Sequence, residues 1–187
     1  MRLLAIATLI VTSVSCAGGS LEKAPARPSS PPAGSPAAKA GSDAAASPIA
    51  QAAAKAGVIS SSGRITQVSN FLTSGAEKTG FFQFIPPTKP DQNIFSVSME
   101  LAGKDGAYAY ASASFAPNQA DGCGALYEQV AYWPMSCTDV AQKLFPGMTK
   151  EGELLKNITV LAGPATVRVF LMPAGPGCTS IKKEVVR

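Results

Sequence analysis

Residues 95–101 alternate without a break: Phe95, Val97, Met99 and Leu101 are apolar, and Ser96, Ser98 and Glu100 between them are polar. A period of two marks a strand with one buried face. Gly103-Lys104-Asp105-Gly106 then makes a turn, and 107–115 reads as the returning strand of a hairpin. β-Formers fill 125–133, although Leu126, Val130 and Trp133 also fit one face of a helix. A second hairpin is expected from 166–172 and 180–186, with Gly175, Pro176 and Gly177 between them. Weaker strands are read at 64–72, 80–85 and 158–161. One helix stands out near 136–145. Ser136 can cap it, and Asp139 three residues on completes a capping box. Val140 and Leu144 form its apolar stripe, and Pro146-Gly147 ends it. No repeat period appears. The pattern predicts a mainly β (β-rich α+β) domain, an antiparallel sheet or a sandwich with one short helix across it.

Composition divides the chain. Of the 41 residues 17–57, 32 are Ala, Pro, Gly or Ser, whereas all thirteen aromatic residues lie between Phe71 and Phe170. So little apolar surface cannot offset the entropy of ordering, so 16–57 is expected to be a disordered linker. Pro25, Pro28, Pro31, Pro32 and Pro36 stiffen its first half. A transient helix over 44–56 is limited by Pro48 and Gly57. Residues 58–187 are then expected to form one exported domain of ordinary size. With 11 Lys/Arg against 10 Asp/Glu this part is close to neutral, so most of the chain's +4 lies upstream. No basic stripe appears, and nucleic acid is not an expected partner.

Ahead of the linker, Met1-Arg2 precedes an apolar run over 3–14, and Ser13 and Ser15 lead into Cys16 and Ala17-Gly18-Gly19-Ser20. A positive start, a short apolar run and a small-residue exit describe an export signal over 1–15. This run of about twelve residues falls short of the roughly 20 residues of a membrane-spanning helix. This segment resembles the leader of bacterial lipoproteins. The resemblance implies cleavage before Cys16 and lipidation of its sulfur and amine. With Ala17 rather than an aspartate next, it also implies the outer membrane, with the linker as a tether. Ser13 and Ser15 equally satisfy the small-x-small rule of an ordinary export signal, which leaves a soluble periplasmic or secreted protein as the alternative.

Export permits disulfides, and Cys123, Cys137 and Cys178 lie in the domain. As a strand, 125–133 spans roughly 25–30 Å, which separates Cys123 from Cys137 beyond the ~7 Å of a bridge. Cys123 and Cys178 each sit beside glycine ahead of a strand, and in a simple meander those loops share one end of the sheet. The expected disulfide is therefore Cys123–Cys178, whereas a helix over 125–133 would reopen the other pairings. Cys137 is left as a free thiol in the first turn of the helix, where a lowered pKa favours reactivity.

The chain has no histidine, which removes Ser-His-Asp and Cys-His systems and most zinc sites. No cofactor and no metal site is expected. An enzyme would have to rely on Cys137 or on a carboxylate such as Glu128, set among Leu126, Tyr127, Val130 and Tyr132. The other candidate surface is aromatic. Tyr108 and Tyr110 share a strand face with Ser112 and Ser114, and Tyr132 and Trp133 end a nearby strand. Such a surface suits sugar rings or a peptide, although tyrosines also close the edges of cores. The leading expectation is a non-enzymatic lipoprotein whose domain binds an envelope protein, a peptide or a cell-wall polymer. A structural part of an envelope assembly is a further alternative.

Overall fold

The computed structural model describes residues 46–187 except 105 and 121. The expected export signal, the anchor Cys16 and the linker as far as residue 45 lie outside the described residues. What is described is mostly antiparallel sheet with three short helices. In chain order these are α1 (Pro48–Lys55), α2 (Ser62–Thr73), β1 (Lys78–Phe84), β2 (Phe95–Ala102), β3 (Tyr108–Gln119), β4 (Gly122–Trp133), α3 (Cys137–Leu144), β5 (Thr149–Leu154), β6 (Ile158–Ala162), β7 (Arg168–Ala174) and β8 (Gly177–Val186).

The alternation at 95–101 becomes β2, whose apolar set is buried while Ser96, Ser98 and Glu100 face the other way. The two expected hairpins form, β2 with β3 and β7 with β8. The expected helix is α3. Ser136 Oγ accepts from the Asp139 amide at 3.1 Å and donates to the Asp139 carboxylate at 2.6 Å.

Two expectations fail in the first quarter of the described chain. Residues 64–72 are not a strand but lie within α2. Ile65, Val68 and Leu72 are buried on one face at helical spacing, and that period outweighs the β preference of the branched residues among them. Residues 46–57 are not linker but part of the folded domain. Pro48 does not limit α1; it starts it, because proline at the first helical position has its φ preset and lacks only an amide that would be unpaired there. Ser47 Oγ caps the helix by accepting from the Ala50 amide at 3.1 Å, and it also accepts from Ser69 Oγ of α2 at 2.8 Å. Ala50 and Ala53 are fully buried, which lets α1 lie close on its neighbours. Gly57 turns the chain at φ +92°.

The strands form a single sheet in the order β1-β2-β3-β4-β8-β7-β6-β5, every neighbouring pair antiparallel. The sandwich alternative is therefore not the architecture. The order reads as two four-stranded meanders, β1–β4 and β5–β8, that meet at β4 and β8. Each meander is preceded by a helix, α2 or α3, that delivers the chain to its outer edge. Both helices, with α1, lie on one face of the sheet. On that face α1 and α2 cover one apolar cluster built on β2, β3 and β4. A smaller cluster under α3 contains Trp133, Val140, Phe145, Leu161, Val169 and Leu171.

Candidate binding face

Side chains alternate across a sheet, so burying one set under the helices leaves the other set outside. Register fixes which residues these are. Tyr110 stands opposite Glu100 on β2 and Val130 on β4, and Val130 stands opposite Ile181 on β8. The next row is Phe82, Ser98, Ser112, Glu128, Lys183 and Arg168. Among the described residues no helix covers this face. Phe82 is 64% exposed, Tyr108 66% and Tyr110 45%, and Phe84 and Tyr132 are exposed as well. Gly80, Phe82, Ser98, Glu100, Tyr108 and Tyr110 line a shallow depression of about 670 Å³ on it. The Ser98 and Tyr110 hydroxyls are 2.9 Å apart, which fixes the Tyr110 ring and leaves its flank open.

Tyr108 and Tyr110 thus sit together on the open face as expected, with Ser112 and Ser114 along the same strand. Trp133 does not join them. It is fully buried beneath α3, on the opposite face, where its Nε1 donates to Ser180 Oγ at 2.8 Å. The residue before it, Tyr132, takes the outward position. Phe82 and Phe84 are the members of the face that the sequence pattern concealed. An aromatic run over 81–84 resembles core, and only its period of two marks Phe82 and Phe84 as sharing a face with Tyr110.

The cysteines are paired differently from the expectation. The disulfide joins Cys137 to Cys178, with Cα atoms 5.0 Å apart, and Cys123 is the free thiol among the described residues. β8 is not the end of a simple meander that brings its start beside the start of β4. It lies next to β4 and runs antiparallel to it, so its first residues pair with the last of β4: Cys178 stands opposite Trp133. Cys178 therefore lies at the Cys137 end of β4, a full strand away from Cys123. Cys137 holds the first turn of α3 on the sheet and is not a free nucleophile. Cys123 is buried, and burial pushes its thiol pKa up, with the Ser61 hydroxyl bonded to its sulfur as a smaller opposing influence.

Glu128 lies on the open face in a pair with Lys183 at 3.2 Å and accepts from Ser112 Oγ at 3.1 Å. The polar network away from water is elsewhere, on the helix face of β4 and β8. There Tyr127 Oη donates to Glu184 Oε2 at 2.6 Å, and the Lys182 ammonium sits 5.1 Å from the centre of the Phe71 ring. Burial lowers the Lys182 pKa, with Glu184 opposing, and burial aided by Glu184 raises that of Tyr127. Gln129 beside them is buried too, and its Oε1 has no hydrogen-bond partner. Among the described residues no group of three or more Cys, Asp or Glu gathers to hold a metal ion, and no helix is long and apolar enough to cross a membrane.

Comparison with protein-family models, curated proteins and solved structures finds no match to this chain. Nothing in these comparisons indicates an enzymatic activity.

Proposed function

We propose that this chain is a non-enzymatic cell-envelope lipoprotein, anchored at the outer membrane through Cys16, whose β-rich domain binds a cell-wall polymer on the open face of its sheet. The observation that carries the binding reading is the bare face itself. Phe82, Phe84, Tyr108, Tyr110 and Tyr132 stand exposed on it beside serine hydroxyls and Glu100. Exposed clusters of large apolar side chains on a folded domain mark interaction surfaces. Rings that present flat apolar flanks beside hydroxyls and a carboxylate match sugar rings, which offer apolar faces and hydroxyl edges. The non-enzymatic reading is supported by the lack of histidine, by Cys137 in a disulfide, and by Glu128 in an ordinary surface ion pair.

Two measurements test the two parts. Fatty-acid labelling of cells should mark the wild type and not Cys16→Ala; an unlabelled wild type, or a labelled variant, removes the anchor. Co-sedimentation with purified cell-wall sacculi should retain the wild type, and Tyr108→Ala with Tyr110→Ala should weaken retention at least tenfold, the scale of about 1.4 kcal/mol. A wild type that stays in the supernatant, or a double variant that sediments as well as it does, removes the polymer reading.

A further inference from the structure

The sheet has two edges, and they are built in opposite ways. An edge strand presents unpaired amides and carbonyls, and proteins blunt it with charges and bulges. β5 is blunted. It carries Lys150, Glu151 and Glu153, engaged in ion pairs with one another or with Arg168, and its register breaks between Lys150 and Gly152. β1 has far less of this: its one charge is Lys78 at the start of the strand, and it carries no bulge. Its pairing with β2 is unbroken over seven residues, and from Thr79 to Thr88 the sequence holds no charge. Phe81 is 40% exposed, Phe82 64% and Phe84 56%. Gln83 Nε2 donates to the Ile49 carbonyl of α1 at 2.8 Å, which holds the strand in place.

We propose that β1 is a homodimer interface, in which a second copy of the chain adds its own β1 antiparallel about a two-fold axis through Phe81 and joins the two sheets into one. The choice of a second copy rests on self-complementarity. Lys78–Phe84 is centred on Phe81, so this axis pairs every residue of the strand, whereas an axis through Gly80 or Phe82 shortens the pairing. On the open face it sets Phe82 opposite Gly80 of the second copy. A Cβ at Gly80 would meet nothing within 4 Å, so the ring has room to cover that glycine, a pairing that stabilises strands. Lys78 comes opposite Phe84, so each cation meets the electron-rich face of a ring and no like charges oppose. On the helix face Thr79 meets Gln83, and Phe81 meets its own copy. Faces are preserved because all pairs join residues of the same parity. At roughly 200 Å² per aromatic side chain, the exposed parts of the three rings set an upper bound of about 300 Å² per copy on what they contribute, to which the two edge backbones add.

The self-opposed position allows a decisive test with the full-length chain, carrying Cys16→Ala so that it stays in solution. In sedimentation velocity at high micromolar concentration the protein should be a dimer. Phe81→Glu and Phe81→Lys should each be monomeric, because each places like charges face to face. Mixed in equal amounts they should dimerise again, because only the mixed pair sets opposite charges together. Circular dichroism of each variant should match the unsubstituted chain. Hydrogen exchange of the unsubstituted chain needs no variant at this strand: amides within 78–84 should exchange at least tenfold more slowly when concentrated than when dilute. A monomer at high concentration, a single variant that still dimerises, a mixture that does not, or exchange over 78–84 independent of concentration would each overturn the proposal.

Discussion

Tyr127 and Glu184 carry much of what is unusual at the residue scale. A carboxylate that is 5% exposed is tolerated only because partners satisfy it. The Tyr127 hydroxyl at 2.6 Å is one such partner. Tyr127→Phe keeps the ring against Phe71 and removes only that donor, which leaves one Glu184 oxygen buried and short of a bond. The expected cost is about 2–3 kcal/mol, read from urea unfolding at neutral pH. The raised Tyr127 pKa gives this cost a pH dependence. A group whose folded pKa lies above its unfolded value stabilises the fold fully below the unfolded value, near 10, and loses that contribution above it. The gap between wild type and Tyr127→Phe should therefore be constant through neutral pH and narrow above about pH 10. Asp91 behaves in the opposite sense. Its Oδ1 accepts from the Ile59 and Ser60 amides at 2.7 and 2.8 Å and from Ser60 Oγ at 2.9 Å, clamping the β1–β2 connection to the turn before α2. The Ser60 amide holds its pKa below the usual 3.8. A depressed folded pKa means stability that is present above the unfolded value and lost as pH falls through the folded one. Asp91→Asn should cost about 1 kcal/mol at pH 7, at the low end for charge-assisted bonds because the group is near solvent. The difference should fade below about pH 4, and thermal melts across the acid range would follow it.

Elements were legible wherever a local signal decided them. The period of two over 95–101 and the cap at Ser136 each involve neighbours within a few residues, and both survive folding unchanged. What failed was decided at longer range. α1 contains eight residues, Ile49 the one large apolar side chain among them apart from Pro48, and alone would be marginal. It forms because its alanine face meets α2, which its composition does not reveal. The disulfide depended on strand order. No local signal in 146–178 says that the chain crosses to the far edge at β5 and returns, and that path alone brings Cys178 to Cys137. Trp133 failed as a surface residue because strand parity puts it on the face opposite Tyr132. The tyrosine face was readable in the same period-two pattern. The crossing also sets what the disulfide does. It closes a separation of 41 residues and fixes α3 to the start of β8. In the chain-entropy view a loop of that length is worth about 3–4 kcal/mol. Cys137→Ala with Cys178→Ala should lower stability by roughly that amount. Peptide mapping without reduction should recover Cys137 and Cys178 in one linked fragment and Cys123 in none.

At the scale of the whole molecule, one sheet carries two unequal cores. Eighteen buried residues form the cluster beneath α1 and α2, against eight beneath α3. Polar side chains run between them along β4 and β8, where Gln129, Ser180, Lys182 and Glu184 are all buried. Apolar burial is what makes a region costly to open, so the two halves should differ in local stability even though their topology is alike. The continuous β4–β8 ladder, paired from Ala125–Val186 to Trp133–Cys178, couples them, and the disulfide sits at one end of that seam. Reduction removes the covalent tie from the weaker half only. Native-state hydrogen exchange should then show α3, β5 and β6 opening together at a free energy below that of β2, β3 and β4. In the oxidised protein the two groups should lie closer together. Equal protection of both halves after reduction would mean that the seam, despite its buried polar groups, binds them into a single cooperative unit.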